Sequence, residues 1–335
     1  MKAHDAVQMI LAKKKSQAAK QTATAFAPIN IALCKYWGKR NTELNLPITS
    51  SLSISLHHKG ARTTIQHYDG NADNIFLNGA VVASKSGFAT RLIKFLDLFR
   101  ADDKTFFQLD IKSNIPIAAG FASSACGFAS VVLALDQLYQ WQLSKKELSM
   151  LARIGSGSAC RSLWHGFVEW HAGNNSDGED CYSELLPTIW SELRVGLLLL
   201  SAERKPLSSR LAMQQTTATS PLYKCWPDKA AADLVLLKQA IAQKDFKLLG
   251  ETAESNALNM HALMMSAWPP IIYSLPETLA SMQMIWELRR ENQPIYFTQD
   301  AGPNLKLLFL QQQEDLVSEV FPNIEIIEPF AKNYE

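Results

Sequence analysis

Gly155-Ser-Gly-Ser-Ala-Cys-Arg161-Ser162 gathers flexible backbone, hydroxyl donors and one permanent cation just after a helical segment. Backbone N–H groups, hydroxyls and a guanidinium all donate hydrogen bonds, so the stretch can hold an anion. Gly and Ser also build ordinary loops, and composition alone leaves both readings open. Two more small-residue loops accompany it. Pro116-Ile-Ala-Ala-Gly120-Phe-Ala-Ser123-Ser124-Ala-Cys-Gly127 precedes an apolar run, and Asp300-Ala-Gly302-Pro303-Asn304 follows the strand-like Pro294 to Thr298. Three such loops beside one acid point to a polyphosphate substrate.

Each loop has its own chemistry and its own bland alternative. In the second, Gly120 lets backbone approach an anion, Ser123 and Ser124 offer hydroxyls, and the helix starting near Ala122 to Ala125 presents free N–H groups and a positive dipole end. The alternative is a packed strand-to-helix turn. Neither Gly-x-Gly-x-x-Gly nor a Walker Gly-Lys-Ser/Thr is present there, so a Rossmann or P-loop reading has no support. Ala32-Leu-Cys-Lys35-Tyr36-Trp37-Gly38-Lys39-Arg40 interleaves cations with aromatics after a predicted strand. Arg40 reads as a solvated charge, whereas Lys35 follows a buried-looking run and could be aimed at a carboxylate or at developing negative charge. Asp300 is either an Asx-turn residue or a base and orienting group for an alcohol attacking a phosphoryl group. His57, His58, His165 and His171 fit no metal-ligand motif, so any metal would be magnesium arriving with a nucleotide.

The elements that must position these residues follow from length and periodicity. A chain of 335 residues, 47% apolar and 19% charged, has room for two cores. Residues 22–33, 51–56, 63–67, 74–77, 106–111, 163–170 and 194–200 read as strands, with helices over 84–98, 128–141 and one ending near Arg153. Ser144 and Glu147 form a capping box for that last helix. After residue 200 come helices over 229–244, 246–265 and 276–291 and strands over 294–298, 305–310 and 324–327, an α+β plan with mixed sheets in both halves. Residues 1–20 read as a solvated helical extension, too short and interrupted for a signal or membrane span. A net charge of +1 gives no bulk attraction to nucleic acid or an anionic membrane. Five widely spaced cysteines argue against a disulfide framework or zinc site and suit a reducing cytoplasm.

Taken together, Pro28 to Ala32 with Lys35-Tyr-Trp-Gly-Lys39, Ala119 to Ala125, Gly155 to Ser162 and Thr298 to Asn304 resemble the diphosphomevalonate decarboxylase family of the GHMP kinase superfamily, in the family's order, from about residue 22 to 310. The resemblance implies a two-domain GHMP fold with the active site in the cleft between them: an extension over 1–20, a nucleotide-binding domain over 21–200 and a second domain over 201–335. It implies a cytoplasmic, commonly homodimeric enzyme that uses ATP and Mg2+ to turn 5-diphosphomevalonate into isopentenyl diphosphate, ADP, phosphate and carbon dioxide. Asp300 then matches the acid-base position, Lys35 an orienting cation, and Arg161 with Ser156, Gly157 and Ser158 a cradle for carboxylate and diphosphate oxygens. Tyr36, Lys39, Ser209, Arg210, Met213 and Ala301 match substrate positions, with 205–213 as a substrate loop. Ala119, Gly120, Ala122, Ser123, Ser124 and Lys205 match nucleotide positions. Departures from the family pattern are Thr49 for Asn, Phe121 for Leu, Gln299 for an apolar residue, His165 for Gly and Pro206 for a second lysine. The rival readings are a phosphomevalonate decarboxylase, a mevalonate-type kinase and a non-catalytic nucleotide-binding module.

Overall fold

The computed structural model describes residues 1–14, 18–100, 102, 104–115, 123–203 and 205–331. The first unit contains α1 (Ala3–Leu11), β1 (Thr22–Cys34), β2 (Lys39–Asn41), β3 (Leu46–Pro47), β4 (Ser51–Tyr68), β5 (Asn74–Leu77), β6 (Ala80–Val81), α2 (Gly87–Leu96), β7 (Phe106–Ser113), α3 (Ser123–Tyr139), α4 (Lys145–Gly155), β8 (Gly166–Trp170) and β9 (Ser183–Leu185). The second contains β10 (Leu193–Leu198), α5 (Ser209–Thr219), α6 (Trp226–Gln243), α7 (Phe246–Met265), α8 (Pro276–Arg290), β11 (Tyr296–Gln299), β12 (Leu305–Leu310), α9 (Glu314–Val320) and β13 (Glu325–Ile327).

The first sheet runs β6-β5-β7-β4-β8-β9, with β1 also paired to β4. Alternation sets its faces: Phe107, Leu109 and Ile111 of β7 are buried while the residues between them are not. Burying each such side chain contributes roughly 1.5–3 kcal/mol. Sequence periodicity splits β4 in two, at 51–56 and 63–67, but it is one strand. Opposite Pro28 and Ile29 the partner jumps from Gly60 to Leu56, a bulge that takes up His57, His58 and Lys59 and hides the continuity behind polar residues. The first sheet is mixed through the parallel β5–β7 pair, whereas the described pairs of the second, β11-β12-β10-β13, are all antiparallel. β10 pairs with both β12 and β13 and so lies within that second sheet.

Helix signals in the sequence work as physics requires. Ser144 accepts from Glu147 N and the Glu147 carboxylate returns to Ser144 N, so α4 starts with a closed capping box. Asp245 caps α7 through Leu248 N. α1 is helical as expected, but its face is not solvated: Ala6, Val7 and Ile10 are buried, and Lys14 pairs with Glu147 of α4 at 2.8 Å. The loop expected over 205–213 is also corrected, since Ser209, Arg210 and Met213 lie in α5, which Ser208 caps. α6 and α7 pack directly on β1, and one apolar cluster contains Ile31 and Leu33 of β1 together with Leu249 and Ala253 of α7. The two units therefore share a core, and the end of β1 is held against the second sheet.

Candidate active site

Lys35 is the residue after β1, and Asp300 the residue after β11. The Lys35 side chain is 2% exposed, and its Nζ donates to Ala32 O and to Asp300 Oδ1, each at 2.8 Å. The other carboxylate oxygen, Oδ2, lies 3.2 Å from Lys306 Nζ on β12. Thr298, opposite Lys306 in the β11–β12 register, donates to the same Ala32 carbonyl that Lys35 uses. The Asp300 carboxylate thus faces two ammonium groups.

The backbone around Asp300 is fixed from several sides. His261 Nε2 contacts Asp300 O at 3.1 Å, Gln299 Nε2 donates to Gly302 O at 2.9 Å, and Thr278 Oγ1 donates to Pro303 O at 2.8 Å. Asn304 Oδ1 takes the N–H groups of Leu200 and Ser201, tying the turn to the end of β10. Lys35 has its own brace, because its backbone N donates to Asn256 Oδ1 of α7 and Asn256 Nδ2 donates to Asp233 of α6.

Electrostatics follow from this packing. Burial pushes the Asp300 carboxyl up, but Lys306 and Lys35 outweigh it and hold the group well below the usual carboxylate range. Burial pushes Lys35 down, Asp300 opposes, and Lys306 and Arg161 push it down further. Arg161 is therefore within electrostatic reach of both residues. It is 2% exposed, with Nε donating to Asn30 Oδ1 at 3.3 Å, one terminal nitrogen donating to Ser51 Oγ and the guanidinium 5.7 Å over the Trp170 ring. Asn30 also donates to Ser158 O and Ser162 Oγ, which fixes the short 3-10 turn Gly157–Arg161.

The remaining sequence candidates group around this centre. A Cβ on Gly157 would stand 2.8 Å from the Tyr36 ring, so only glycine permits that approach, and the Tyr36 hydroxyl is buried without a hydrogen-bond partner among the described residues. A buried hydroxyl in that state is suited to a ligand oxygen. Ser156 and Ser158 flank Gly157, both partly exposed. Lys205 Nζ donates to Ala301 O at 2.8 Å and Ser209 Oγ at 2.7 Å. Burial lowers Lys205 to about 8, with Asp300 opposing and Lys306 adding to the fall. Lys39 is likewise lowered to about 8 by burial and then by Arg210, and its Nζ donates to Asn45 Oδ1 at 2.5 Å. Met213 packs in the core. Ser123 opens α3 with Ser124 beside it, while Ala119, Gly120, Phe121 and Ala122 lie outside the described residues.

Among the described residues, the cluster of metal-type ligands is Glu169, His171 and Glu184. The two His171 nitrogens face opposite carboxylates, Nδ1 to Glu169 at 3.4 Å and Nε2 to Glu184 at 2.9 Å, and Lys238 lies 2.6 Å from Glu169. Each carboxylate of the cluster thus already has a partner within it, His171 for both and Lys238 for Glu169.

The charged centre lies where two independently recognisable halves meet. Residues 27–183 match the model of the diphosphomevalonate decarboxylase-like N-terminal domain, and residues 195–334 match that of the mevalonate 5-diphosphate decarboxylase C-terminal domain. The chain belongs to the diphosphomevalonate decarboxylase family. The diphosphomevalonate decarboxylase of Aspergillus fumigatus is 37% identical over 321 residues, 88% of this chain and 78% of that protein. Mevalonate diphosphate decarboxylase from Staphylococcus aureus superimposes with a TM-score of 0.86 at 35% identity, covering 92% of this chain and 95% of that one. A structure of MDDEF in complex with MVAPP, AMPPCP and magnesium gives 0.84 at 38% identity, covering 92% and 99%. The α+β fold with two units is the fold of these decarboxylases.

Against that family background, two of the departures noted in the sequence, Gln299 and His165, find local partners. Gln299 uses its amide to hold Gly302 O and Ser274 Oγ, and the His165 ring lies 4.5 Å from that of His57. Sequence reasoning missed Lys306, Asn256, His261 and the structural role of Asn30. Lys306 had a readable signal, since a lone lysine inside Leu305 to Leu310 must find a counter-charge once buried.

Proposed function

We propose that this decarboxylase-family chain converts 5-diphosphomevalonate and ATP into isopentenyl diphosphate, ADP, phosphate and carbon dioxide. The observation that carries the reading is the Asp300 carboxylate, held between Lys35 from the first sheet and Lys306 from the second, with Arg161 in electrostatic reach. The tertiary 3-hydroxyl is a poor leaving group, so phosphoryl transfer first makes it a phosphate ester. The C–O bond then breaks with its electron pair going to phosphate. The pair from the bond to the carboxylate carbon forms the new double bond and releases carbon dioxide.

The chain's residues supply orientation and charge. Asp300 accepts a hydrogen bond from the hydroxyl. A carboxylate stabilised by two ammonium groups is a weak base, so it orients first and takes the proton late, as phosphoryl transfer makes the hydroxyl acidic. Lys35 neutralises charge developing on the departing phosphate. Arg161, locked by Asn30, Ser51 and Trp170, offers its planar fork to the substrate carboxylate. Tyr36, Lys39, Arg210 and the Ser156–Ser158 turn hold the diphosphate, with Ser209, Met213 and Ala301 lining that region. Lys205 and Ser124, with Ser123 and the preceding loop at Ala119, Gly120 and Ala122, serve the nucleotide phosphates.

Magnesium is implied with the nucleotide. Both Asp300 oxygens face lysines, so the Ser124 hydroxyl is the residue group that would help hold an ion arriving with the nucleotide. When bound, such an ion would supply charge neutralisation for phosphoryl transfer. The same proposal divides the chain between β9 and β10, supported by the pairing of β10 with β12 and β13. It also includes a reducing cytoplasm, supported by five free thiols, and a homodimer, which rests on the family resemblance; cell fractionation and sedimentation test these points.

The substrate assignment is tested by comparing kcat/KM for mono- and diphosphorylated mevalonate. The diphosphate should be preferred by at least tenfold, about 1.4 kcal/mol; preference for the monophosphate overturns the assignment.

A further inference from the structure

Lys306 is 1% exposed, on a strand whose neighbours Leu305, Leu307 and Leu308 are buried. Its Nζ approaches Asp300 Oδ2 at 3.2 Å and Asn304 O at 3.4 Å. A buried ammonium is costly unless a counter-charge and hydrogen bonds satisfy it, and removing the partner of a buried pair is more costly still. Lys35 pairs with Asp300 through Oδ1, and Lys306 adds a second buried ammonium on Oδ2. That second cation becomes useful when anionic phosphates arrive, because each approaching negative charge favours protonation of the carboxylate.

We propose that Lys306 is a positioning residue for phosphoryl transfer: it fixes the carboxylate plane of Asp300 through Oδ2, leaves Oδ1 to Lys35 and the substrate hydroxyl, and keeps the carboxylate ionised while polyphosphates fill the site. Lys306 acts through Asp300 and touches no reacting atom. The proposal rests on the reaction proposed above, so wild-type turnover is established first in the same assay; lack of it counts against that reaction and leaves the pairing to the stability test below.

In Lys306→Met, kcat should fall roughly 10- to 100-fold while KM for either substrate changes by less than about 3-fold. The acid limb of the kcat/KM profile should move up by about one to three pH units, because losing a nearby cation raises the carboxyl and activity is lost where it protonates. Lys306→Arg keeps the charge and should keep the acid limb near its wild-type position even with reduced kcat. A folded Lys306→Met with wild-type kcat and acid limb overturns the proposal. So does a variant with lowered Tm alone, which is what a purely structural lysine would give.

Pairing is also read without activity. Asp300→Asn leaves two buried ammonium groups facing a neutral amide, so adding Lys306→Met should raise its Tm, whereas the same substitution should lower Tm when Asp300 is intact. Equal effects in both backgrounds show no coupling and overturn the proposal even if Lys306→Met alone folds poorly.

Discussion

Lys35 Nζ meets Asp300 Oδ1 at 2.8 Å across 265 positions of sequence, joining the end of β1 to the turn after β11. Because α6 and α7 pack on β1 beneath this contact, the site is complete only when both sheets are docked. Asn256 reinforces the link by bonding the Lys35 backbone from α7.

Asp300→Asn should abolish most turnover, lowering kcat by about 100- to 10,000-fold, the scale of a lost acid-base group. ATP binding, measured by titration calorimetry, should stay within a few-fold. Stability should fall by roughly 3–5 kcal/mol, since two buried lysines lose their counter-charge. Wild-type turnover in a folded variant removes Asp300 from the mechanism.

Arg161→Lys keeps a charge but loses the planar fork and the stack over Trp170. Loss of a charge-assisted contact of about 1.5–3 kcal/mol should raise substrate KM by roughly 10- to 100-fold, with ATP KM little changed. An unchanged substrate KM contradicts the cradle.

Gly157→Ala tests whether Tyr36 must lie against the 3-10 turn. The new methyl would meet the ring at 2.8 Å, and Tyr36 cannot easily retreat because Trp170 packs edge-on at 4.7 Å. Overpacking should cost about 1–3 kcal/mol and displace the Tyr36 hydroxyl, raising substrate KM more than it changes kcat. Thermal melts and steady-state kinetics together decide it; a variant with normal stability and KM refutes the close approach.

Lys39 and Lys205, both lowered to about 8, predict a basic limb in binding. Each is charged below that value and loses its charge as pH rises through it, so KM for the substrate and for ATP should climb between about pH 7 and pH 9. Phosphate binding favours the charged forms and shifts the limb upward in the complex. Lys39→Met should raise substrate KM at neutral pH and flatten its pH dependence, while leaving the ATP limb in place. Flat KM values throughout exclude these lysines as phosphate ligands.

Residues whose role depends on local chain order were legible in the sequence. The Ser144–Glu147 capping box, β1 and the Gly155 to Ser162 turn each announce themselves within a few positions. Lys35 could be singled out because it follows an apolar run, yet its partner lay beyond any local pattern. From the sequence Asp300 read first as a turn residue, and only the structure placed Lys306 and Lys35 on its two oxygens. Asn256 and His261 were invisible because mid-helix polar residues normally face water, and only the docking of α7 on β1 turns them toward Lys35 and Asp300. The helix α5 was missed because its apolar spacing is weak and its Ser208 cap lies among other serines.

The most direct test is simultaneous measurement of ADP, free phosphate and carbon dioxide from purified protein supplied with ATP, magnesium and 5-diphosphomevalonate. The account predicts equal yields of all three, with isopentenyl diphosphate as the organic product; ADP formed without phosphate and carbon dioxide would contradict it and leave a kinase.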